Sequence, residues 1–195
     1  MARLYLRFSV VLLLAVSCGC QRTSSATDPP PVPSSIVPRT PKLKSFDLTD
    51  QDGQPFNSKT LKGEPWVASF FFTQCPAVCW RLNQALAKWQ ADHSKSPFKF
   101  VSITCDPQTD TPAALKLYAE HFQADPKRWT FLTGDMNYIT KVGQDMFLLA
   151  VQRNTHSSRA VVIDRKGEIR GSFDVVDPEQ SKKFEKLLAE VEAEE

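Results

Sequence analysis

Cys75 and Cys79 stand four residues apart in Cys75-Pro76-Ala77-Val78-Cys79, directly after the apolar run Trp66-Val67-Ala68-Ser69-Phe70-Phe71-Phe72. That run reads as a buried strand and the segment after it as a helix, so both thiols are predicted at a strand-to-helix turn. The first helical turn carries partial positive charge on its unsatisfied N–H groups, which favours thiolate over thiol. Pro76 suits the first helical position, where a missing N–H costs nothing, and the spacing brings both sulfurs to one side of that turn. Thiolates bind soft metals and attack disulfides, so the pair is open to metal binding and to redox exchange.

The elements that must hold this turn follow from pattern. Phe46 to Phe56 has two short apolar stretches around Asp52-Gly53, which predicts an N-terminal β-hairpin. The near-continuous apolar character of 66–72 suits a central strand covered on both faces. Leu82, Leu86 and Trp89 recur at helical spacing, predicting a helix that ends between His93 and Pro97. A strand is expected at 98–104, then a helix from Pro112 to about Phe122 with Thr111 as its cap. A short strand at 129–132, a helix at 136–146 and strands at 160–163 and 168–173 joined by Asp164-Arg165-Lys166-Gly167 come next, and a helix over 178–195 closes the chain. The sum is an α/β fold: a mixed sheet with flanking helices, an N-terminal β-hairpin and an antiparallel hairpin at one edge, the architecture of the thioredoxin superfamily.

Of 195 residues, 42% are hydrophobic, enough for one folded domain. Residues 1–20 read as an export leader, with Arg3 and Arg7 before the apolar centre Val10-Val11-Leu12-Leu13-Leu14-Ala15-Val16. That stretch is short for a membrane span. Removing it takes two basic residues from the 24 Lys and Arg that stand against 22 Asp and Glu, and a neutral chain argues against nucleic-acid binding. The leader ends in Ala15-Val16-Ser17-Cys18-Gly19-Cys20, which resembles a lipobox, with Cys18 or Cys20 as the residue to be acylated; a plain secretory signal or an uncleaved anchor is the alternative. Residues 21–41, rich in Ser, Thr and Pro, are expected to form a semi-rigid tether, and residues 42–195 the folded domain. The protein is thus expected at the extracytoplasmic face of a bacterial membrane, lipid-anchored.

Three segments carry a resemblance. Phe70-Phe71-Phe72-Thr73-Gln74-Cys75-Pro76-Ala77-Val78-Cys79 resembles the Phe-Phe-Thr-x-Cys-Pro-x-x-Cys segment of the Sco/SenC proteins. The run from Val101 to Cys105 followed by Asp106-Pro107-Gln108-Thr109-Asp110-Thr111-Pro112 is similar to that family's strand and Asp-Pro-x-x-Asp-Thr-Pro. His156-Ser157-Ser158, leading into Val161-Val162-Ile163-Asp164-Arg165-Lys166-Gly167, is similar to its metal-binding His and next strand. The resemblance implies a thioredoxin-fold copper-binding protein that helps assemble the binuclear copper centre of cytochrome c oxidase or a related cuproprotein. It implies Cys75, Cys79 and His156 as copper ligands, and a thiol reductant as a further partner. Two thiolates suit Cu(I), and an added imidazole with a weak further ligand suits Cu(II). Structural zinc would want a fourth protein ligand, and none is evident.

The chain also departs from the family. Trp80 stands where Pro is common, and is expected to pack on the domain or to dock a partner. The approach to His156 is short. Cys105 replaces the usual Val or Ile and reads either as a buried hydrophobe or as a third thiol near the site. Asp106 is expected either to orient His156 or a bound water, or only to make a turn. The competing function is an extracytoplasmic thiol–disulfide oxidoreductase in which Cys75 and Cys79 reduce partner cysteines. Against it, such reductases use Cys-x-x-Cys and a proline before the strand at 160–163, whereas here the spacing is longer and no proline lies between Pro126 and Pro178. A binding and transfer protein is therefore favoured over a turnover enzyme.

Overall fold

The computed structural model describes residues 44–76, 78–155 and 158–194. Within them the order is β1 (Asp47–Asp50), β2 (Pro55–Asn57), β3 (Trp66–Phe71), α1 (Val78–Asp92), β4 (Lys99–Thr104), α2 (Pro112–His121), β5 (Trp129–Thr133), α3 (Met136–Asp145), β6 (Arg159–Ile163), β7 (Ile169–Asp174) and α4 (Pro178–Ala193). The strands form one sheet in the order β2-β1-β5-β4-β3-β6-β7. β3, β4 and β5 run parallel, while β1–β2 and β6–β7 are antiparallel hairpins on the two flanks. This is the thioredoxin-like mixed sheet that the alternation of strand and helix signals predicts.

Side chains alternate across β3 as the pleat requires. Val67 and Phe71 face a core built from Leu82, Leu86 and Trp89 of α1, Leu115 of α2, and Phe184, Leu188 and Val191 of α4. Trp66, Ala68 and Phe70 face the other side, covered by Ile139 and Val142 of α3 with Phe46 and Phe147. Burying an aromatic or leucine side chain of this kind stabilises by roughly 1.5–3 kcal/mol. Both faces are covered, three helices against one, which is why β3 needs a near-continuous apolar sequence.

Local signals set the boundaries. Asp50 Oδ1 accepts from the N–H groups of Asp52 (2.9 Å) and Gln54 (2.8 Å), and Gly53 takes φ 76°, which closes the first hairpin. Thr111 caps α2 through the Ala114 N–H at 3.4 Å, Asp135 caps α3 through Tyr138 at 2.9 Å, and Asp177 caps α4 through Gln180 at 2.8 Å. α1 starts at Val78, not at Pro76: Pro76 lies in the bend ahead of the helix. Among the described residues no helix is long and apolar enough to cross a membrane. The leader, the tether and both lipobox cysteines lie outside the described residues.

Candidate metal centre

β3 ends at Phe71, and a turn follows in which the Cys75 N–H donates to the Phe72 carbonyl at 3.2 Å. The Cys75 side chain then lies at the start of α1, where its Sγ accepts from the Cys79 N–H at 3.4 Å. A helix leaves its first N–H groups without intrahelical acceptors, and here a sulfur serves as one. The predicted pairing of the two cysteines on one side of the first turn is what the fold produces. Their surroundings differ. Cys75 is half-buried, while Cys79 is 0% exposed and packs into the α1 side of the core.

The thiolate expectation needs correction at Cys79. Burial pushes its thiol well above the ordinary value, and the hydrogen bond with Cys75 adds to that. Desolvation outweighs the helix N-terminus because the sulfur lies inside the apolar layer rather than at its rim. At neutral pH Cys79 is therefore a thiol, and any soft metal must displace its proton.

Cys105 follows β4 and is fully buried in the opposite core layer, the one beneath α3. Its thiol is pushed up to about 12, first by burial and then by the charge of Asp110. The small-hydrophobe reading holds for its side chain. Its backbone does more, because its N–H donates to the Phe71 carbonyl at 2.7 Å and its carbonyl accepts from Asn154 at 3.1 Å. Asp106 makes the turn into α2 through its carbonyl, which accepts from Thr109 (3.0 Å) and Asp110 (2.9 Å). Its buried carboxylate accepts from Arg153 Nε at 3.1 Å.

Residues 152–155 form a tight turn in which Gln152 and Thr155 exchange backbone hydrogen bonds of 2.9 Å and Asn154 takes φ 54°. Arg153 and Asn154 dock this turn on Asp106 and Cys105. Beyond it, β6 enters beside β3 with Ala160 opposite Ser69. His156 itself lies outside the described residues, and among those described no group of three or more His, Cys, Asp and Glu side chains is placed to hold a metal.

Two residues near the pair escaped the sequence reading. Tyr118 of α2 stacks on Phe71 with ring centroids 5.1 Å apart, accepts from Asn83 Nδ2 at 3.0 Å, and has its hydroxyl pKa raised chiefly by burial. Asp110 is 0% exposed and receives Thr73 and Thr104. In sequence it is one position of the Asp-Pro-x-x-Asp-Thr-Pro segment, to which no role was assigned. Trp80 is 40% exposed and leans on His121 and Phe122, with ring centroids 4.8 and 5.0 Å away, so it packs on the end of α2 while keeping one side open.

Residues 37–192 match the family model described as SCO1/SenC. The chain belongs to the SCO1/SenC family. It is 37% identical over 141 residues to an SCO2-like protein of Rickettsia conorii, covering 66% of this chain and 67% of that one. A SCO1/SenC family lipoprotein from Bacillus anthracis is similar in structure, with a TM-score of 0.71 and 33% identity over 77% of this chain and 95% of the other. ScoI of Bradyrhizobium japonicum, solved with copper bound, gives a TM-score of 0.57 and 28% identity, covering 75% of this chain and 97% of its own. Family membership rests on nearly the whole of the folded part, well beyond the two cysteines.

Proposed function

We propose that this SCO1/SenC chain is an exported copper-binding protein that carries copper on Cys75, Cys79 and His156 and delivers it to cytochrome c oxidase or a related cuproprotein. The observation that carries this reading is the 3.4 Å contact between the Cys79 N–H and the Cys75 sulfur, which holds two soft donors at one helix start. The turn at residues 152–155 supports the third ligand, because it leads toward His156 from a dock at the end of β4. The copper bound in the Bradyrhizobium japonicum relative supports the choice of metal. Two sulfurs favour Cu(I), and loading must release the Cys79 proton. The lipoprotein relative in Bacillus anthracis supports acylation at Cys18 or Cys20, with residues 21–41 as tether and residues 42–195 as the working domain.

Unequal exposure of the two sulfurs favours one second reading, thiol–disulfide exchange. Half-buried Cys75 is open to attack by, or on, a partner sulfur, and buried Cys79 is placed to resolve the mixed disulfide. In that cycle two partner cysteines are made from a disulfide, and Cys75 and Cys79 give up two electrons and two protons as they join.

One experiment separates the two. The copper-loaded, reduced chain is mixed with the metal-free copper domain of an oxidase subunit whose cysteines are already reduced, and the proteins are then separated. Copper recovered on the acceptor is the expected result. If copper stays on this chain while a disulfide-bonded acceptor is reduced in a parallel mixture, the exchange reading replaces the delivery reading.

A further inference from the structure

The buried carboxylate of Asp110 serves nothing described so far, and its partners lie on both sides of the cysteine turn. Asp110 sits at the junction of β4 and α2, fixed by its own N–H to the Asp106 carbonyl at 2.9 Å. Its Oδ2 accepts from the Thr73 N–H at 3.1 Å and from the Thr104 hydroxyl, and its Oδ1 accepts from the Thr73 hydroxyl. Every partner is a donor, which an acceptor-only carboxylate satisfies and a neutral amide does not. Burying a carboxylate is costly unless such donors surround it. Thr104 closes β4, whereas Thr73 lies two residues before Cys75, in the turn that aims that sulfur at α1.

We propose that Asp110 is a positioning residue for the thiol pair, holding the Thr73–Cys75 turn against the end of β4 so that the Cys75 sulfur stays at the start of α1. This rests on the reading of Cys75 and Cys79 as metal-binding thiols, and it adds the device that keeps them together when no metal does. Thr73 is the link that carries the constraint, since two of the three donors belong to it. Thr104 anchors the carboxylate on the strand side.

The test uses alkylation, which needs no copper. The full-length chain, reduced and metal-free, is treated with iodoacetamide, and modification of Cys75, Cys79 and Cys105 is followed separately by peptide mass spectrometry. In Asp110→Asn, Cys75 should be alkylated about tenfold faster than in the wild type, the factor carried by losing one hydrogen bond to a charged group in a local opening. Cys105, buried in the other core layer, is the control in the Thr73 variants, which leave the Asp110 charge beside it in place, and should be unchanged there. Thr73→Val should act in the same direction, and Thr73→Ser, which keeps the hydroxyl, should retain the wild-type rate. Should Asp110→Asn fail to fold, the Thr73 pair decides alone. Wild-type Cys75 rates in Asp110→Asn and Thr73→Val overturn the proposal. So does a parallel rise at Cys75 and Cys105 in Thr73→Val, since that reports general loosening. Copper uptake by wild-type protein is measured separately, so failure of the copper reading is told apart from failure of the clamp.

Discussion

The Asn154 N–H donates to the Cys105 carbonyl at 3.1 Å, which ties the turn before His156 to the end of β4. The same Cys105 residue donates its N–H to Phe71, the last residue of β3 before the cysteine turn. One backbone unit thus links the approach to His156 with the strand that delivers Cys75 and Cys79.

If His156 supplies the nitrogen ligand, its removal should discriminate between oxidation states. His156→Ala is expected to weaken Cu(II) binding much more than Cu(I) binding, because two sulfurs alone satisfy the softer ion. Competition against a chelator specific for each state measures this. Equal loss in both states, or none in either, contradicts the assignment.

Cys75 and Cys79 should also form a reversible disulfide that excludes metal, since the same sulfurs cannot serve both. Oxidised protein is expected to take up no copper, and a reductant should restore uptake. Cys79 and Cys105 belong to opposite core layers, so mass spectrometry should find Cys75–Cys79 as the major disulfide. A major product containing Cys105 would show that the buried-hydrophobe reading of that residue is wrong.

Alkali provides a check on the two buried thiols. Their folded-state pKa values lie above the ordinary thiol value of 9.0, so the unfolded chain loses these protons first as pH rises. Their contribution to stability is complete below about pH 9 and is lost as the pH climbs through that value, towards about 12 for Cys105. Urea unfolding at a series of pH values should show this decline, and Cys105→Val should flatten it. At neutral pH that near-isosteric change should cost less than about 1.5 kcal/mol. An unaltered alkaline slope in Cys105→Val would contradict the burial argument.

The fold was legible where periodicity and punctuation agreed. Leu82, Leu86 and Trp89 announced α1, Thr111-Pro112 announced the start of α2, and Asp52-Gly53 announced the first hairpin. The cysteine pair was legible for the same reason, as residues at a strand end followed by a helical pattern. The state of Cys79 was not, because local dipole reasoning cannot weigh desolvation by Leu82, Phe71 and the rest of a core assembled from distant segments. Asp110 was hidden because its partners Thr73 and Thr104 reach it through the β3–β4 pairing rather than through sequence spacing. Trp80 fell between its two expected roles, since a helix end supports one face of the ring and leaves the other open.

Metal analysis of the reduced full-length chain, after copper loading and removal of excess metal, decides whether Cys75 and Cys79 hold copper. A copper-to-protein ratio near one for the wild type and near zero for the Cys75→Ser, Cys79→Ser double variant is the expected result. Loss of the visible thiolate-to-Cu(II) absorption in that variant should accompany the loss of metal. A double variant that retains the full copper content would contradict the assignment of copper to these two sulfurs.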